Sequence, residues 1–158
     1  MIEAIIGIDP GVSGGSALIR KEGEILDKEW FENPYKFTGR TIDDIADWFH
    51  LISDFADIKV KRVYIEHVGG MIGDSPSKLK VFMENYGACQ MAAAMSKFSR
   101  EYVKPLVWQT KMNCKSKGGN KKIPYAKARE LFPGIKITRA TADAVVIAEY
   151  GRRMEYGL

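Results

Sequence analysis

The stretch IIGIDPGVSGG, residues 5–15, decides how this chain is read. Ala4 to Ile8 is apolar and β-branched, the pattern of a buried strand. Asp9 closes that run, where a charge is costly unless it is paired or holds a cation. Pro10, Gly11, Gly14 and Gly15 follow, and their backbones permit a sharp turn that leaves open space above the acid. The chain then resumes as a second strand over Ser16–Arg20. Small residues around a strand-end carboxylate suit the approach of a bulky anion such as a phosphate with its metal.

The pattern on either side predicts an α/β domain. A first strand over 2–8 and a second over 16–20 lead through Glu22-Gly23 to a third strand over 24–31, an antiparallel meander. Ile42, Ile45, Ala46, Phe49, Ile52 and Phe55 keep the helical period over 41–56. KRVYIE, residues 61–66, reads as a fourth strand. Ser75-Pro76 opens a long helix to about Ser99, with Leu79, Phe82, Met83, Tyr86, Cys89, Met91, Ala93 and Met95 along one broad apolar face. Tyr102-Val103 is a short fifth strand, and helices are expected over 105–112, 124–132 and 140–153. If helix 41–56 is a crossover, strands one and four are parallel neighbours. Asp9 and Glu66 then share the carboxyl edge of the sheet, where open α/β sheets bind ligands.

Glu66 repeats the setting of Asp9, ending an apolar strand before small residues. Asp143 lies in TADAVVIAEY, at the start of a largely apolar helix. Each acid alone has a bland explanation as a cap or turn residue. Three together, without His or Cys as partner ligands, suit a hard cation such as Mg²⁺ or Mn²⁺. Two such ions about 4 Å apart can hold the attacking water and the leaving oxygen in phosphodiester hydrolysis.

The net charge of +4 is concentrated in one segment. Residues 102–129 hold eight basic residues and no acid, so the rest of the chain is net acidic. Lys111, Lys115, Lys117, Lys121 and Lys122 cluster around Gly118-Gly119-Asn120, a lysine loop suited to polyanion contact. Arg139, at a helix start, is a further candidate phosphate contact. At 158 residues the chain is expected to form a single domain over 1–158. No apolar run is long enough for a membrane helix, and MIEAIIGID lacks the basic flank of a signal peptide. Cys89 and Cys114 lack metal-ligand spacing and read as free structural thiols in a reducing, cytoplasmic setting. His50 and His67 read as structural, and Trp108 as a packing residue in preference to a base-stacking one. GVSGG is no phosphate loop, because it lacks the GxxxxGK[ST] lysine and leads into a strand.

IIGIDPGVSGG, VYIEHV and TADAVVIAEYGRR, in that order, resemble the RuvC-like Holliday junction resolvases, particularly their small phage-encoded members. The resemblance implies an RNase H-like fold, a mixed five-stranded sheet flanked by helices. It implies a homodimer that uses Mg²⁺, for which Mn²⁺ should substitute, to nick four-way junctions or other branched DNA. The metal-binding and catalytic acids carry over to Asp9, Glu66 and Asp143, and the long helix after Glu66 is expected at the dimer interface. Two features depart from the family pattern. The fourth ligand expected one turn before the last acid is Ala140 here. Beyond Glu66, where the bacterial enzymes carry an aromatic, this chain has Gly69-Gly70, leaving Met71 as a candidate apolar wedge.

Two other classes stay open on the sequence. An actin- or hexokinase-like phosphotransferase also begins with a strand ending in Asp-x-Gly, but needs two lobes, more than 158 residues provide. A non-catalytic module that binds branched DNA, with Ala140 marking a decayed site, is the second.

Overall fold

The computed structural model describes residues 1–67, 75–116, 118 and 120–158. Its elements in chain order are β1 (Ile2–Asp9), β2 (Gly15–Arg20), β3 (Tyr35–Lys36), α1 (Ile42–Asp54) and β4 (Ile58–Glu66). They continue with α2 (Pro76–Met95), β5 (Arg100–Val103), α3 (Pro105–Lys111), α4 (Lys122–Leu131) and α5 (Arg139–Tyr156). The sheet order is β3-β2-β1-β4-β5, with β2 antiparallel to β1 and β3, and β4 parallel to β1 and β5. This is the mixed five-stranded sheet of an RNase H-like α/β fold.

Two apolar layers sandwich the sheet. Ile6, Ile8, Leu18, Val63 and Ile65 pack toward α1 and α2. Ile5, Ala17, Ile19 and Tyr64 pack toward α5, with Trp108 and Met112 from the α3 end and Ala128 of α4 closing that side. Alternation along β1 explains the division, since successive side chains point to opposite faces.

Helix α5 lies unusually close to the sheet because two positions carry no side chain. A Cβ on Gly7 would meet the Ala144 oxygen and the Ala148 nitrogen at 2.3 Å, and one on Gly151 would meet the Tyr64 ring at 2.4 Å. At the distal end, buried Glu149 is held by Arg152 (2.6 Å) and Arg153 (2.8 Å), and Arg152 also donates to the Lys21 carbonyl.

Residues 24–31 do not form the expected strand. Only isolated bridges occur there, Ile19 to Ile25 and Lys28 to Phe31. The side-chain amide of Asn33 satisfies the edge of β2 instead, accepting from Leu18 N–H (2.9 Å) and donating to the carbonyls of Leu18 (2.8 Å) and Leu26 (2.9 Å). The third strand is the two-residue β3, paired with Gly15 and Ser16. Helix α2 stops at Met95, short of Ser99, because Lys97 adopts φ 59° and forms a Schellman turn: Phe98 N–H donates to Ala93 and Lys97 N–H to Ala94. The usual glycine marker is absent, which hid this end in the sequence. Nor does α2 present one apolar face to the core. Tyr86, Cys89 and Ala93 are buried, whereas Leu79, Met83, Met91 and Met95 are exposed along with Val81.

Candidate functional site

The corner at the carboxyl ends of β1 and β4 is built by the register. Ile8 pairs with Ile65, so Asp9 and Glu66 end adjacent parallel strands. Asp9 lies two residues beyond Gly7 and therefore faces α5; Glu66 lies two beyond Tyr64 and faces the same way. Asp143 enters from the second turn of α5, whose start is fixed by Thr141 Oγ1 accepting the Thr138 N–H at 3.0 Å. Three elements thus bring three carboxylates to one face of the sheet.

The glycine turn earns its composition here. A Cβ on Gly14 would sit 2.0 Å from the Asp9 carbonyl oxygen, and Gly11 has φ 126°, a conformation open to glycine. Phe82 of α2 packs over Gly11, 3.3 Å from where its Cβ would be, and stacks on Tyr86. The turn is therefore held from the α2 side and bare above Asp9.

Electrostatically the corner is a strained anionic cluster. Asp9 and Glu66 are each only 8% exposed, and Asp143 is half-buried. Burial, then the charges of Glu66 and Asp143, push the Asp9 carboxyl well above the usual range. Burial pushes Glu66 up to about 7, aided by Asp143 and opposed by its hydrogen bond from Trp108. Burial also raises Asp143. Among the described residues, Lys121, at the start of α4, opposes all three shifts. A divalent cation would relieve the same repulsion more fully, and the donor set, all hard oxygen, fits one. Among the described residues, no group of three or more His, Cys, Asp or Glu is gathered tightly enough to hold an ion. Ala140, where the resemblance led a fourth ligand to be expected, carries no carboxylate.

Trp108 is the residue that sequence reasoning undervalued. It is fully buried, as a packing residue should be, yet its Nε1 donates to Glu66 Oε2 at 2.7 Å. That bond orients the carboxylate and leaves its other oxygen for a ligand. Its only sequence signal was an indole donor in an otherwise apolar segment, which needs a partner when buried. Both cysteines are free and buried, as read. Burial and the nearby Asp9 push the Cys89 thiol up to about 12, and burial with Asp143 pushes Cys114 up to about 11, so neither is a thiolate.

The candidate DNA contacts divide. Lys121 belongs electrostatically to the carboxylate corner. Lys111 at the end of α3, Lys115 in the following loop, Lys122 at the start of α4 and Arg139 at the start of α5 are exposed. Lys117 and Met71 lie outside the described residues. His67 is exposed, beside the Tyr102 ring.

The sequence matches no protein-family model and no curated protein. Solved structures share its fold, RuvC structures among them. Thermus thermophilus RuvC in complex with a Holliday junction substrate aligns with TM-score 0.62 at 15% identity, covering 98% of this chain and 96% of that one. A second Thermus thermophilus RuvC structure aligns with TM-score 0.56 at 16% identity, covering 99% and 97%. Nearly the whole chain therefore follows the RuvC fold, with the carboxylate corner at the carboxyl edge of its parallel strand pair.

Proposed function

We propose that this protein is a metal-dependent endonuclease that cuts branched DNA, four-way junctions included. The observation that carries the reading is the electrostatic coupling of Asp9, Glu66 and Asp143 at one corner of a RuvC-fold sheet. Mg²⁺ or Mn²⁺ held there would supply Lewis-acid activation of water and of the leaving oxygen. The chain's own residues do the rest. Asp9, Glu66 and Asp143 would hold the cation; Trp108 orients Glu66 through its hydrogen bond; Lys121 offsets the charge of the three acids. The bare glycine turn lets a backbone phosphate come close. Lys111, Lys115, Lys117 and Lys122 would grip flanking phosphates, so junction binding should weaken steeply with salt.

A homodimer belongs to the same reading. Leu79, Met83, Gly87, Met91 and Met95 form an i+4 row along α2, exposed at all five positions. A Cβ on Gly87 would meet nothing within 4 Å. Rows of this kind interdigitate when two helices cross, and a glycine mid-row permits close approach. Two copies related by a two-fold axis would present two sites to a two-fold junction.

The test uses a labelled four-way junction with Mg²⁺ or with chelator, and compares wild type with Asp9→Asn and Glu66→Gln. Mg²⁺-dependent nicking, lost in both variants while binding persists, is the expected result. Binding without nicking by wild type would favour the second reading, a non-catalytic junction-binding module. Ala140 and the ungathered carboxylates are the observations on its side.

A further inference from the structure

Beyond the first turn of α5, on the side away from the carboxylates, lies a cavity of about 560 Å³ between the 25–36 loop and residues 134–141. Its position relative to Asp9 follows from the register. Asp9 pairs with Gly15, and Gly15 pairs with Lys36. Directly paired residues point to the same face, so Lys36 and Asp9 face the same side, two strand spacings or roughly 10 Å apart. The start of α5 crosses the gap: a Cβ on Gly15 would stand 3.2 Å from the Ala140 oxygen and 3.3 Å from Thr141 Cγ2. Thr141 lines the cavity on one flank of the helix, two residues before Asp143 on the other.

The lining groups are unequally committed. Asn33 spends its amide on Leu18 and Leu26. Glu32 is paired with Arg40. Asp27, Lys36 and Lys136 are exposed, and none forms an ion pair among the described residues. The Thr138 hydroxyl is engaged with Thr141 Oγ1 at 3.3 Å, so a ligand would meet one unpaired carboxylate and two ammonium groups, against aliphatic walls at Ile25 and Ile135. Phosphate alone would be repelled by Asp27, and a purely apolar ligand would make no use of the three charges. A nucleotide satisfies both, with an amino-bearing base edge for Asp27 and a phosphate for the lysines. The volume is ordinary for a small-molecule site.

We propose that this cavity receives one unpaired nucleotide of the strand being cut, its base against Asp27 and its phosphate on Lys36 and Lys136. The inference rests on the nuclease reading and adds a means of choosing where that nuclease cuts. Extruding a base costs a few kcal/mol from an intact duplex and least where pairing is already broken, so the cavity would favour bases beside a branch point.

The experiment uses four-way junctions with randomised bases around the branch, cut by wild type, Asp27→Asn and a Lys36→Ala/Lys136→Ala double variant, with cut ends sequenced. Asp27→Asn is expected to change the base preference at one position beside the cut. The lysine variant is expected to raise KM roughly tenfold with a smaller change in kcat, as loss of phosphate contacts should. Folded variants with wild-type cut profiles and wild-type KM overturn the pocket and leave the nuclease reading standing. A wild type that binds junctions without cutting overturns the nuclease reading, and the pocket is then judged by 2-aminopurine beside the branch. Its fluorescence should rise on binding wild type and not on binding the lysine variant; no rise with wild type overturns the pocket too. A wild type that does not bind junctions overturns both.

Discussion

The two faces of β1 solve opposite problems with alternating residues of one strand. Ile6 and Ile8 fill the layer against α1 and α2, where bulk is what matters. On the other face Ile5, Gly7 and Asp9 step from bulk to none to charge, as α5 closes down on the sheet. The first face contributes stability through area removed from water. The second gives up area at Gly7 to bring a helix close, and accepts two buried carboxylates and a half-buried third at its end. The site is therefore bought with packing economy on one side of a strand whose other side is ordinary core.

The largest expected effect comes from breaking the polar end of the functional face. Asp9→Asn should lower nicking by about 10³-fold, because several kcal/mol of transition-state stabilisation depend on the cations it would hold. Timed cleavage of a junction checks this, and an Asp9→Asn protein as active as wild type would remove Asp9 from the site. Next, Gly7→Ala should destabilise by about 3 kcal/mol, since the added methyl meets α5 backbone that cannot step aside. Urea unfolding measures it. A neutral outcome would mean that α5 is not pinned where described.

Trp108→Phe keeps most of the packing and removes only the donor to Glu66. It should cost about 2 kcal/mol, push the Glu66 carboxyl still higher, and move the acid limb of the cleavage profile toward higher pH. An unmoved limb in a folded variant would show that the indole only fills space. The pH dependence of stability has a definite sign. In the cation-free protein Glu66 is raised from the ordinary 4.5 to about 7, so the folded state holds a proton that the unfolded chain releases. Its contribution to stability is present at low pH and lost as pH rises through that window. Melting curves should show wild type losing more stability than Glu66→Gln between about pH 5 and pH 8, with Mg²⁺ restoring much of the loss. The smallest effect belongs to the ordinary face: Ile6→Val should cost about 1 kcal/mol and leave cleavage unchanged.

Much of the architecture was legible because it is written in local periodicity. The parallel pairing of β1 with β4 followed from strand, amphipathic helix, strand, and it set Asp9 beside Glu66. The misread third strand shows the limit. EILDKEWF has the apolar content of a strand, but the edge of β2 is satisfied by Asn33, a side chain whose reach cannot be seen in a linear pattern. Trp108 and Lys121 were visible as residue types, and only the fold brought one to Glu66 and placed the other near all three acids.

By itself, the amino-acid sequence determined where the carboxylates end their strands, where the backbone must be bare, and which segment carries the positive charge. These are short-range matters of side-chain period, glycine conformation and composition. The tertiary structure alone decided that α5 lies tight on Gly7, that Trp108 orients Glu66, that Lys36 faces the same way as Asp9, and that Leu79, Val81, Met83, Met91 and Met95 of α2 are left outside. Each of these depends on contacts between residues distant in the chain, which register and helix packing settle and local pattern does not.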